Sequence, residues 1–359
     1  MANLRDRLKR IQEQKKSETR FEESNFFSSE EILAENGWQP CGFKVLKREK
    51  KSLLPFKIKN PSKTLKILIP DLIKKDNVKP EDFLFFDLET TGLSGGAGTV
   101  AFLAAFGKIL LKEKLLVTQY LLLDYPGEND FLNAVLKEIS NEKSVIVTYN
   151  GKCFDSQILK TRCLLNRKKP PSFYHVDLLH PARRLWKSII QDCSQSSIET
   201  RILGLDRKND IPGSLAPEIW FEYLKTGKTQ RLTGICDHNC ADISGLFSIL
   251  AAMISIADNP YSSCFNYDIE KLALYWRKFK RRNSFNIKFQ KNKNDLLCFA
   301  AERGYKKAVY FYAYDLMRKG NYSESLKFVY RGLKLFDEDT VWHKKLLRRK
   351  ERLEKKLKR

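Results

Sequence analysis

Between Phe83 and Tyr149 four apolar runs of strand length crowd together: FLFFDL, AFLAAFGKILL, LLVTQYLLLDY and VIVTY. Each is bounded by Gly, Lys or Pro and carries the β-branched and aromatic residues that strands favour. The first three follow one another with no space for a crossover helix, so they pair as an antiparallel meander. The fourth is preceded by a stretch with helical spacing, Glu128 to Ile139, whose apolar positions are Phe131, Leu132, Val135, Leu136 and Ile139. From there strands alternate with helices. A helix runs through Phe154, Ile158 and Leu159, SFYHVDLL reads as a further strand, and the region to Ala257 is mainly helical. A meander followed by alternation defines an α/β domain with a mixed sheet flanked by helices.

Charge divides the 359 residues into three blocks. Residues 1–80 carry a net +8, 81–259 a net −1, and 260–359 a net +16, which together give +23. The expected organisation is a basic N-terminal arm and entry region (1–80), the α/β domain (81–258) and a basic helical C-terminal region (259–359). Basic flanks of this kind attract a polyanion by releasing its counterions, and nucleic acid is the expected partner. Solvated surface accounts for such runs equally well.

In the C-terminal block, residues 296–336 read as helix, turn, helix around a break at Gly320-Asn321. The pattern is similar to a single tetratricopeptide-type hairpin, a possible platform for a protein partner. The last 17 residues hold ten Lys or Arg and two Glu, a basic helix. No continuous apolar run reaches the 18 or so residues of a membrane span, so no membrane partner is expected. The charged N-terminus and eight cysteines without a disulfide-framework spacing point to a reducing cytoplasm.

Three acidic groups carry the chemistry. Asp87 and Glu89 lie two apart on the first strand, so both carboxylates project from one face near its end. Two adjacent acids on an apolar strand are costly unless a hard divalent cation holds them. Asp155 stands at the start of the helix after VIVTY, where a carboxylate also serves as a cap. His238 and Asp242 are four residues apart on a late helix and share a face, an arrangement that a plain hydrogen bond also explains. Asp237 points elsewhere on that helix, and Cys236 and Cys240 lack the second pair a zinc site requires. Asn150 and Lys152, in the strand-to-helix loop, are within reach of a phosphate or base edge. Asp177 reads as a cap for the helix that follows it, and Arg183 and Arg184 as a solvated helix face or a phosphate contact.

Taken together, FFDLETTGLSGGAGTVAFL, VTYNGKCFDSQILKTR, VDLLHPARRLW and HNCADISGL resemble the YprB-type ribonuclease-H-like proteins of the DEDD 3′–5′ exonuclease superfamily. The resemblance spans about residues 81–258. It implies a ribonuclease-H-like fold, with Asp87, Glu89, Asp155 and Asp242 as ligands to two divalent ions, Mg2+ or Mn2+, and His238 as the base that deprotonates an attacking water. Thr90, Asn150 and Lys152 become substrate contacts. The His stands four residues before the last Asp, the spacing used by members with Tyr there, whereas members with His use five. The implied activity is two-metal hydrolysis of DNA or RNA. The competing reading is a nucleic-acid-binding or adaptor protein on the same scaffold with little catalysis.

Overall fold

The computed structural model describes residues 33–58, 60–61, 64–92, 96–110, 114–140, 144–207, 210–261, 263–282 and 296–358. The expected N-terminal arm, part of the SGGAGT loop and most of the basic stretch after Arg282 lie outside the described residues. The chain divides into two compact units. The first comprises residues 1–60, 77–178 and 203–251, and the second 61–76, 179–202 and 252–359.

The first unit is built on a seven-stranded mixed sheet. Its strands are β1 (Gln39–Gly42), β2 (Val45–Leu53), β3 (Phe83–Thr90), β4 (Ala101–Leu110), β5 (Lys114–Leu122), β6 (Val145–Thr148) and β7 (Tyr174–Asp177). The order across the sheet is β1-β2-β5-β4-β3-β6-β7. β3, β4 and β5 form the expected meander, and β6 and β7 add on in parallel. The expected boundary at residue 81 falls inside this sheet. β2 pairs with β5 over nine residues, from Val45 opposite Leu122 to Leu53 opposite Lys114. Its alternation is masked because the outer half of the strand is a solvent-exposed run of charged residues.

Helices cover both faces. α1 (Glu128–Ile139) turns Phe131, Leu132, Val135 and Ile139 into the core that also contains Leu84, Phe86 and Leu88 of β3. α2 (Asp155–Leu165) follows β6, and α3 (Ala216–Thr226) anchors Trp220 through a 2.9 Å indole hydrogen bond to the Leu122 carbonyl. Strand alternation sends Phe85, Asp87 and Glu89 to the opposite face. There α4 (Gln230–Asp258) lies on the sheet, with Phe247 edge-on to Phe85. The helix comes so close that a Cβ at Gly107 would sit 2.4 Å from Ile243 Cγ2. That glycine admits the helix. At 29 residues α4 is long and apolar enough to cross a membrane, which the sequence reading did not anticipate because Asp237, His238 and Asp242 interrupt its apolar run. Of its most apolar window, 72% is buried inside the protein.

The second unit is helical: α5 (Ile269–Arg282), α6 (Leu296–Glu302), α7 (Lys306–Arg318), α8 (Tyr322–Leu335) and α9 (Val341–Leu357). The expected first helix of the hairpin is two, because Gly304 adopts φ +81° and ends α6. Gly320, at φ +84°, makes the expected turn between α7 and α8. Glu270 accepts hydrogen bonds from the first backbone amides of α7, Lys307 at 2.7 Å and Ala308 at 3.1 Å. Ala313, Val329, Phe336, Leu346 and Leu353 form its core. Arg184 is committed within this unit, donating to the Leu68 carbonyl at 2.8 Å and stacking on Tyr275, so it is not part of a solvated face.

Candidate active site

The strand end of β3, the start of α2 and the middle of α4 bring Asp87, Glu89, Asp155 and Asp242 into one cleft of the first unit. Their mutual repulsion is felt at every buried member. Burial, then the charges of Asp242, Asp155 and Glu89, push the Asp87 carboxyl well above the usual carboxylate range. Glu89 is raised by burial and then by Asp242, Asp155 and Asp210. Asp155 is pushed up to about 7, chiefly by burial, although the backbone amides of Asp155 and Leu88 oppose the shift.

Each acid is held differently. Oδ2 of Asp87 accepts a 2.7 Å hydrogen bond from the Asn239 side chain. Asn239 Oδ1 in turn accepts from Gln119 at 2.9 Å, and Gln119 Oε1 accepts from Arg48 at 2.7 and 3.1 Å. Arg48 is 2% exposed, lies over Trp38, and pairs with Asp237 at 3.0 Å. Asp237 therefore faces away from the cleft, as expected. Asp242 Oδ1 pairs with Arg207 at 2.7 Å, and its Oδ2 lies 3.2 Å from His238 Nε2. The other ring nitrogen of His238 contacts Asp210 Oδ1 at 2.8 Å. Glu89 makes no hydrogen bond or ion pair among the described residues.

Asp177 is buried and accepts from the backbone amides of Asn150 (2.9 Å) and Lys152 (3.1 Å). It therefore holds the loop in which Asn150 takes φ +64°. Gly151 sits against the acids, since a Cβ there would lie 2.5 Å from Thr148 Oγ1 and 2.8 Å from Asp155 Oδ2. Asn150 is exposed and Lys152 half-buried at the rim. Thr90 is buried and its hydroxyl donates to the Gly92 carbonyl at 2.9 Å in the turn after β3.

Sequence reasoning missed Asn239, Asp210, Arg207, Gln119 and Arg48. Asn239 was within reach, since it precedes Asp242 by three residues and shares its helical face. The others come from distant strands or an irregular loop and leave no spacing signal.

A divalent cation fits this cleft on the chemistry of its donors. Three carboxylates whose ionisation is opposed, two of them buried and one without a side-chain partner among the described residues, are stabilised by a positive charge among them. Glu89, His238 and Asp242 each offer one ligand atom, all within 4.8 Å of one another.

This sheet has the ribonuclease-H-like fold, and residues 84–254 match the family model of the RNase H superfamily. The chain is also 39% identical over 175 residues to the uncharacterized protein YprB of Bacillus subtilis (strain 168). That match covers 48% of this chain and 42% of the relative, so the chain spans less than half of that protein's length.

Proposed function

We propose that the protein is a metal-dependent nuclease that hydrolyses phosphodiester bonds of DNA or RNA, as a 3′–5′ exonuclease. The observation that carries this reading is the convergence of Asp87, Glu89, Asp155 and Asp242 around the end of an interior strand of a ribonuclease-H-like sheet. Two divalent cations, Mg2+ or Mn2+, would be held by these four acids, and the chemistry they supply is an activated water and charge compensation at the leaving 3′ oxygen. The chain's own residues do the positioning. Asn239 fixes Asp87, the Leu88 amide fixes Asp155, and Arg207 fixes Asp242. The loop stapled by Asp177 holds Asn150 and Lys152 at the rim, where they can meet phosphate.

Lys344, Lys345, Arg348 and Arg352 are exposed on α9 and supply a basic face for nucleic acid. The same face favours the second reading, a nucleic-acid-binding or adaptor protein whose C-terminal helices also meet a protein partner. Degradation of labelled single-stranded and duplex oligonucleotides with Mn2+ separates the two. Wild type should shorten them from the 3′ end and Asp87→Ala should not. Equal inertness of both preparations, or equal activity, rules out the enzyme reading.

A further inference from the structure

We propose that Glu89, His238 and Asp242 form a mixed nitrogen–oxygen metal site, in which His238 is a ligand and Asp210 its orienting partner, selective for a later transition-metal ion such as Co2+ or Zn2+ over Mg2+. The inference shares Glu89 and Asp242 with the nuclease reading and rests on it to that extent.

The imidazole fixes the argument. A carboxylate oxygen offers only lone pairs, so the 2.8 Å contact to Asp210 Oδ1 makes Nδ1 the protonated nitrogen of His238. On the other side of the ring, Nε2 lies 3.2 Å from Asp242 Oδ2. A cation seated between these two atoms would take a lone pair from each. Donors about 2.1 Å from one ion are about 3.0 to 3.4 Å apart in octahedral or tetrahedral geometry, which brackets this separation. The third donor is Glu89, which is 9% exposed, unpartnered among the described residues, and within 4.8 Å of the other two.

The surroundings match those of a metal-bound imidazole. Such a ring donates its second N–H to a carboxylate, here Asp210, and a ligating carboxylate is itself held, here by Arg207 on Asp242 Oδ1. Space is reserved as well. A Cβ at Gly213 would sit 2.8 Å from His238 Nε2. The four-residue spacing now has a reason, since it stacks the nitrogen and the carboxylate on one turn of α4. Imidazole suits Zn2+, Co2+ or Ni2+ better than Mg2+, which keeps to oxygen donors. On this assignment His238 holds the cation and does not take the proton of a water.

The full chain, stripped with a chelator, is titrated with Co2+ followed by visible absorption and with Mg2+ followed by calorimetry. Wild type should bind Co2+ with the bands of a nitrogen-containing ligand set. His238→Gln should weaken Co2+ about tenfold or more and Mg2+ by less, and Asp210→Asn should weaken Co2+ about tenfold. Gly213→Ala, which leaves every donor in place, should weaken Co2+ too and guards against a His238→Gln that fails to fold. A His238→Gln or Gly213→Ala protein that keeps the wild-type spectrum and a Co2+ affinity within about twofold overturns the assignment, and with it any coordination through His238. A wild type that binds Co2+ through His238 yet degrades no oligonucleotide sustains the site and overturns the nuclease reading.

Discussion

The side-chain amide of Asn239 donates to Asp87 Oδ2 at 2.7 Å, joining the middle of α4 to the end of β3. Asp87 is half-buried and Asn239 fully buried. Asn239→Ala removes the donor and one of the two acceptors of the Gln119 amide, leaving it the Cys236 carbonyl. The expected loss is about 1 to 3 kcal/mol of stability in urea denaturation, with Mn2+-dependent degradation reduced about tenfold. Asn239→Asp, which adds a carboxylate beside Asp87, should cost more in chelator and be partly rescued by Mn2+.

Asp155 gives the cleft a pH dependence whose sign follows from linkage. Its folded carboxyl titrates at about 7 against about 3.9 in an unfolded chain. The folded state binds the proton more tightly, so the contribution of Asp155 is fully present below about pH 4 and is lost as pH rises toward 7. Without metal, wild type should therefore melt progressively lower than Asp155→Asn as pH increases across that window. Saturating Mn2+ should erase the gap by binding only the folded, ionised site. A gap that stays constant from pH 4 to 8 contradicts this account.

Asp177→Ala releases two backbone amides, those of Asn150 and Lys152, from the carboxylate that accepts them. A melting-temperature loss equivalent to about 2 kcal/mol is expected. Asn150→Gly should be tolerated, because φ +64° suits glycine, whereas Asn150→Val should destabilise by more. Similar melting curves for the Gly and Val variants would show that the loop relaxes out of this conformation.

Gly151→Ala places a methyl 2.8 Å from Asp155 Oδ2 and 2.5 Å from Thr148 Oγ1, with backbone and buried strand on either side. The expected outcome is a folded protein with weakened Mn2+ binding, read by the loss of Mn2+-induced thermal stabilisation. Gly107→Ala, which meets Ile243 Cγ2 at 2.4 Å, should cost about 1 to 3 kcal/mol without a specific metal effect.

Nucleic-acid affinity should decline when Lys344, Arg348 and Arg352 are replaced together by Ala. If all three meet phosphates, the slope of log affinity against log salt should fall by about 2 to 3. An unchanged slope would remove α9 from the interface.

Much of the first unit is legible in the sequence because its strands are buried on both faces and read as uninterrupted apolar runs. The same property fails for β2, whose outer half, Glu49 to Leu53, is exposed at its edge of the sheet and carries charges. Four acids could be found from strand alternation, a strand-to-helix junction and the i,i+4 rule. Arg207 and Asp210 could not, since they reach His238 and Asp242 from an irregular loop some 30 residues earlier, and such contacts have no period. The partner of Thr90 is equally silent in the sequence: its hydroxyl donates to the Gly92 carbonyl two residues on.

Arg48 belongs to a strand that precedes the family-matched segment, yet through Gln119 and Asn239 it is wired to Asp87. Dissection along the boundaries of likeness, 84–254, would therefore discard β1 and β2 and unplug the acidic end of β3 from the cation on that path. The folded unit begins upstream of where kinship becomes visible, and an excised fragment starting at Phe83 would be a poor proxy for it.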